Sequence, residues 1–231
     1  TPFPLVTLSD CCEIVSGATP STSIEDYWTG QICWATPKAL SDIDGNFILD
    51  TPRKLTPKGL SSCAATVLPP KSVLFSSRAP IGHVAINTVP MATNQGFKSL
   101  VPHTDKIEAT FLLYWLKANR SYLESLGVGA TFKEVSKAIV SKIKMPLPPI
   151  PEQRRIAAIL DQADELRTKR IQFRHSRTQV RHCARNSRID RRLVRLVDRR
   201  KIIRSRHHHI QRARISRPPA QRRLELRQLR Q

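Results

Sequence analysis

Hydrophobic and polar positions change rhythm several times within the first 150 residues of this chain. Residues 31–36 set Ile32 and Trp34 on one face by alternation. Residues 72–76 form a short apolar run entered through Pro69-Pro70-Lys71, residues 83–89 alternate again, and residues 97–101 make a fourth short run. Segments of this length and period, bounded by turn residues, predict strands. Between them the period shifts to that of a helix. Thr56 followed by Pro57 predicts an N-cap with proline at the first helical position, opening a short helix through Leu60. Asp105 and Glu108 have the spacing of a capping box ahead of residues 111–116, and Leu112, Trp115, Leu116, Leu123 and Leu126 fit one buried helical face. Thr131 and Glu134 repeat that spacing and predict another short helix, through Ala138. Short strands interspersed with short helices predict an α+β domain over residues 1–148.

Residues 145–152 break both rhythms. Their alternate prolines forbid a helix or a central strand and predict a stiff extended connector, with Pro151 and Glu152 opening a new helix. In that helix Ile156, Ile159, Leu160, Ala163 and Leu166 recur at helical spacing with charges on the other side. A heptad frame places Ile156 and Ala163 at one seam position and Ile159 and Leu166 at the other. Arg170 and Arg177 then occupy positions where apolar side chains belong, so the seam decays after about two heptads. The pattern predicts the proline connector and a projecting, coiled-coil-type helix over residues 149–170, the helix's apolar stripe a candidate subunit interface.

Charge changes the picture once it is located. The 231 residues carry 39 Lys and Arg against 18 Asp and Glu, a net charge of +21. Residues 1–151 hold 14 basic and 11 acidic side chains, a net of +3, while residues 171–231 hold 20 and 3, a net of +17. A nearly neutral folded region therefore precedes an extremely basic tail, and a polyanion, nucleic acid first, is the expected partner. All eight glycines, all three tryptophans and all three tyrosines lie before residue 130. The tail has nineteen Arg and one Lys, no sustained apolar stripe, and a composition expected to be disordered. Two origins stay open for it: an arginine-rich arm that binds nucleic acid without sequence preference, or the product of a shifted reading frame near codon 171.

Other features narrow the class. Cys11, Cys12, Cys33, Cys63 and Cys183 are odd in number and include no CxxC pair, so scattered reduced thiols in a cytoplasmic protein are expected rather than a disulfide framework. No signal peptide and no apolar run long enough for a membrane helix occur in the sequence. The chain opens on Thr1 rather than Met, so its start is expected to be trimmed or to lie upstream. No glycine-rich loop ends in Lys-Ser or Lys-Thr, Gly127-Val128-Gly129 is a lone GxG, and Pro69-Pro70 and Pro148-Pro149 lack the Asn and aromatic neighbours of an amino-methyltransferase site. His207-His208-His209 is read as incidental rather than as a metal centre.

Five segments together carry a resemblance. They are Ile14-Val15-Ser16-Gly17-Ala18-Thr19-Pro20-Ser21, Leu74-Phe75-Ser76-Ser77-Arg78-Ala79-Pro80-Ile81-Gly82, Ala92-Thr93-Asn94-Gln95-Gly96-Phe97-Lys98, Gly129-Ala130-Thr131-Phe132-Lys133, and the proline connector from Pro146 through Ile156. In this order they resemble the DNA specificity subunit of type I restriction–modification systems. The resemblance implies one target recognition domain that reads half of a bipartite DNA site, followed by the start of a spacer helix, with the second half absent. It implies a subunit with no catalytic centre and no cofactor of its own. It also implies docking to methyltransferase subunits that use S-adenosylmethionine, and through them to an ATP- and Mg-dependent motor nuclease subunit. Pairing of two such half-subunits is a further implied possibility.

Base readout needs donors on loops held by a rigid scaffold, and cations on phosphates fix register. Lys38, Arg53, Lys54, Lys58, Arg78, Lys98 and Lys133 are the candidate double-stranded DNA contacts of the folded part. For each the plainer reading is a solvated surface cation. Ser76-Ser77-Arg78 and Asn94-Gln95-Gly96 read equally well as loop framework. Ile156, Ile159, Leu160, Ala163 and Leu166 are the candidate subunit interface. The rival function is a nonspecific arginine-rich nucleic-acid-binding protein acting through its tail.

Overall fold

The computed structural model describes residues 3–78, 80–130 and 133–186, with side chains described as far as Arg170. Two units are distinguished, Thr1–Ala163 and Asp164–Gln231. Among the described residues, the strands all lie in the first unit. A five-stranded sheet runs in the order β2 (Cys12–Ser16), β9 (Lys98–Pro102), β6 (Val73–Phe75), β7 (Val84–Asn87), β4 (Phe47–Ile48). It is antiparallel except where β4 lies parallel to β7. A three-stranded sheet joins β5 (Lys54–Leu55), β3 (Ile32–Ala35) and β8 (Met91–Thr93), and β1 (Leu5–Thr7) pairs with β10 (Lys144–Pro146). The four strands expected from the rhythm are β3, β6, β7 and β9. The mixed α+β class holds.

β6 explains why one expected strand read as a continuous apolar run. It sits in the middle of its sheet, with every residue buried. Val73 and Phe75 face the main core with Ile14, Ile86 and Leu100, whereas Leu74 faces a second cluster with Ala85, Met91 and Phe97. A strand covered on both faces cannot alternate. The main core is closed by α1 (Leu8–Cys11), α4 (Ala109–Ala118), α5 (Arg120–Ser125), α6 (Lys137–Lys142) and the first turns of α7 (Ile150–Asn186).

The Thr-Pro signature works twice. Thr36 caps α2 (Pro37–Ser41) by accepting a hydrogen bond from the Ala39 N–H at 3.3 Å, and Thr56 caps α3 (Pro57–Ser61) by accepting from Gly59 at 3.0 Å. Only the second was expected, although both follow from the same pair of residues.

Two capping expectations are corrected. Glu108 itself is the N-cap of α4, its carboxylate accepting from the Phe111 N–H at 2.9 Å. The Glu108 N–H is engaged by the Gln153 side chain of α7, so the bond a capping box makes within one helix is made here from another. Glu134 opens no helix. α6 begins three residues later behind Ser136, and Glu134 lies in a β-bridge facing both Arg78 and Val128. The single face expected of Leu112 through Leu126 is divided between α4 and α5, with Leu112, Leu116 and Leu123 buried.

The start of α7 is fastened to the first unit. Gln153 has no exposed surface, and it accepts from Glu108 N–H at 2.9 Å and donates to the carbonyls of Lys106 at 2.9 Å and Pro148 at 2.8 Å. Ala157 is buried, Ile156 packs on the core, and the Tyr114 hydroxyl donates to Asp161 at 2.8 Å. The connector before it is less isolated than its prolines suggest, since residues 144–146 form an edge strand, where proline is tolerated. In the second unit α7 continues to Asn186, past the boundary drawn at 171 from composition. The tail from 187 onward lies outside the described residues, as do His207, His208 and His209.

Candidate nucleic-acid interface

Three of the five segments singled out in the sequence meet, and the residues just after a fourth join them. Ala18 N–H donates to the Thr93 carbonyl at 3.0 Å, and Thr19 hydrogen-bonds to Gln95, so the first segment is laid on the third. Ser77 donates to the Gly96 carbonyl from its N–H at 2.8 Å and from its hydroxyl at 3.1 Å, joining the second to the third. Val135 N–H donates to the Ser77 carbonyl at 2.9 Å, and Arg78 bridges to Glu134, bringing in the residues just after the fourth. The packing is tight enough to dictate glycine. A Cβ on Gly17 would stand 2.0 Å from the Asn94 carbonyl oxygen. Gly82, at φ +86°, closes the turn that follows Arg78, donating to the Ser76 carbonyl at 3.0 Å. Within that turn the Ser76 hydroxyl donates to Pro80 O and accepts from His83 N–H, so its polar side chains satisfy backbone groups.

Glu134 is the hub of this loop cluster. Lys98 Nζ lies 3.0 Å from one of its carboxylate oxygens and Arg78 3.8 Å from the other. Lys98 is only 8% exposed and also reaches the Ser77 hydroxyl and the Gln95 carbonyl. A cation removed from water to this extent needs its counter-charge. Read from sequence as a helix cap, Glu134 is instead the residue that lets a lysine be buried.

A second group lies on the three-stranded sheet. Trp28 and Trp34 meet edge to face at 4.9 Å between ring centres, and the Arg53 guanidinium stands 3.5 Å above the Trp28 ring and 5.3 Å from that of Trp34. Both indoles are pinned, Trp28 Nε1 donating to Ser21 O and Trp34 Nε1 to Ala18 O, each at 3.0 Å. Ala18 thus links the stack to the loop cluster. Lys54 pairs with Asp50 at 3.0 Å, and Lys58 approaches Asp26 at 3.7 Å. Hydrogen bonds from Lys54, the Thr51 N–H and Cys33 hold the Asp50 carboxyl below the usual range. Lys38 and Lys133 are exposed and enter no ion pair among the described residues.

The five candidate interface residues of α7 divide. Ile156 is spent on its own domain, whereas Ile159 at 53%, Leu160 at 36% and Leu166 at 63% are exposed, as is Ala163. Among the described residues no cluster of His, Cys, Asp or Glu could hold a metal ion, and no helix is long and apolar enough to cross a membrane.

The family described as "Type I restriction modification DNA specificity domain" matches residues 2–173. The chain belongs to this family. Its specificity domain is 36% identical over 160 residues to the type I restriction enzyme MjaIX specificity subunit of Methanocaldococcus jannaschii, covering 69% of this chain and 37% of that protein. It is 26% identical over 168 residues to the EcoR124I/EcoR124II specificity subunit of Escherichia coli, covering 69% and 40%. Among solved structures it is similar to a chain from a study of assembly and conformational transition in a type I R-M system, with a TM-score of 0.61, 29% identity, and 75% and 41% coverage. It is also similar to the HsdS subunit from Thermoanaerobacter tengcongensis, with a TM-score of 0.56, 27% identity, and 71% and 38% coverage. This chain therefore spans about two fifths of the length of the relatives it matches.

Sequence reasoning missed three residues that organise this specificity domain. Trp34 was read only as one face of a strand and Trp28 not at all, because their meeting depends on two separate segments. Gln153 stood inside a quoted segment, but only the structure shows that it is buried.

Proposed function

We propose that this chain reads one half of a bipartite DNA sequence as part of a type I specificity subunit. Direct contacts would come from loops of the first unit, and methyltransferase subunits would dock along α7. One observation carries this reading: sequence segments more than a hundred residues apart close into a single hydrogen-bonded loop cluster, linked through Ala18 to the Trp28–Arg53–Trp34 stack. A scaffold that fixes loops and leaves cations on them is what base readout requires. The domain supplies no catalytic group. S-adenosylmethionine, ATP and Mg would belong to the methyltransferase and motor nuclease subunits. The exposed Ile159, Leu160, Ala163 and Leu166 would meet either a partner subunit or a second copy of α7.

The test is selection of bound duplexes from a randomised pool by the full chain, alone and mixed with its methyltransferase subunit. A recovered consensus supports the reading. Binding to all duplexes alike, with affinity falling steeply as salt rises, overturns it in favour of a nonspecific arginine-rich arm.

A further inference from the structure

The seven cations proposed as DNA contacts are not equivalent. Lys54, Lys58, Arg78 and Lys98 each face a carboxylate, at 3.0, 3.7, 3.8 and 3.0 Å. Lys38 and Lys133 are exposed without an ion pair, but nothing organises their side chains. Arg53 alone combines both properties among the described residues. It is exposed, enters no ion pair and no side-chain hydrogen bond among the described residues, and lies flat against an indole. Its backbone is held as well. The Arg53 carbonyl accepts from Trp34 N–H at 3.2 Å and from the Thr51 hydroxyl at 2.7 Å. The platform beneath it is fixed by the Trp28 Nε1–Ser21 bond and by contact with the buried Trp34. The acidic residue nearest in sequence, Asp50, is already engaged by Lys54.

A stacked guanidinium keeps its donors free in the plane of the fork. The ring removes rotamer freedom that binding would otherwise have to remove, so less is lost when the fork meets its ligand. Such a fork matches two acceptors side by side. On duplex DNA these are O6 and N7 of one guanine or two oxygens of one phosphate.

We propose that Arg53 is a DNA contact of this domain, gripping a pair of adjacent acceptors on the duplex, with Trp28 as its positioning residue. This rests on the DNA-reading function proposed above. Trp28 sets the plane of the fork and Trp34 sets the angle of Trp28, so the direction of readout is encoded in two aromatic side chains that never touch DNA.

The experiment compares the full wild-type chain with R53M, R53K and W28L in selection from randomised duplexes, then in affinity against salt. R53M keeps a chain packed on the ring and removes the donors, so loss of packing and loss of readout separate. If the ligand is a guanine edge, R53M loses about tenfold to a hundredfold discrimination at one base pair, R53K recovers little of it, and other positions are unchanged. If it is a phosphate, R53M weakens every sequence alike, lowers the salt slope by about one, and R53K restores the slope. W28L keeps Arg53 and shows a weaker version of the same loss. A selective wild type whose consensus, affinity and salt slope are all matched by R53M overturns the proposal while sparing the DNA-reading function. A wild type that selects no sequence overturns both.

Discussion

Arg78 and Arg53 look alike in the sequence, each a basic residue within two positions of a proline, and the fold separates them. Arg78 faces Glu134, which also neutralises the buried Lys98, within a loop cluster where serines and glycines satisfy one another's backbone groups. Arg53 faces an indole and keeps its donors. One charge is engaged in holding loops together, and the other is left for a ligand. A cation's partner, rather than its presence, distinguishes framework from reading surface. The polar groups of the loop cluster are mostly consumed internally, which is what a scaffold for other loops requires.

If the loop cluster and the helix joint are framework, damage there should appear in stability. The largest effect is expected from Gln153→Leu, which leaves the Glu108 N–H and the carbonyls of Lys106 and Pro148 without partners at a site with no exposed surface. A loss of about 3 kcal/mol should lower the urea midpoint. Gly17→Ala follows at about 2 to 3 kcal/mol, because its Cβ must push the Asn94 carbonyl aside, and a thermal melt reads it. Glu134→Gln strips the counter-charge from Lys98 and should cost about 2 kcal/mol, against about 0.5 for R78M, since Arg78 is partly solvated. R53M should change stability by less than about 0.5 kcal/mol, as expected of a surface side chain, so any binding defect it shows is a binding effect.

The smallest effect concerns pH. Burial, and secondarily the Arg120 charge, hold His83 below its ordinary value of 6.5. The folded chain then takes up a proton less readily than the unfolded one. Stability present above pH 6.5 is therefore lost as the pH falls through and below it. His83→Gln should narrow the difference in Tm between pH 7.5 and 5.5.

Much of the fold was legible because it depends on local periodicity. β3, β6, β7 and β9 are apolar runs or alternations, and Thr56-Pro57 announces its helix. What was missed depends on distant residues. Glu108 and Glu134 both had capping-box spacing, yet the Glu108 N–H is met by Gln153 and Glu134 is drawn to Lys98, so long-range partners overrode a local signal. Short strands such as β4 and β5 exist only because β7 and β3 offer ladders to them. For the candidate site, the sequence supplied seven cations and could not rank them, since rank depends on whether a carboxylate or an indole sits opposite. The apolar stripe of α7 was legible as a pattern, but the use of Ile156 by its own domain was not.

The proposed division of roles offers Arg53 to DNA and keeps Arg78 in the framework. Its most direct test measures wild type, R53M and R78M side by side, on the selected duplex and on each of its single-base variants, well below the Tm of every protein. R53M is expected to change the affinity profile, by flattening it at one base pair or lowering it throughout with a reduced salt slope, while R78M leaves its shape intact. A profile altered by R78M and untouched by R53M would contradict it.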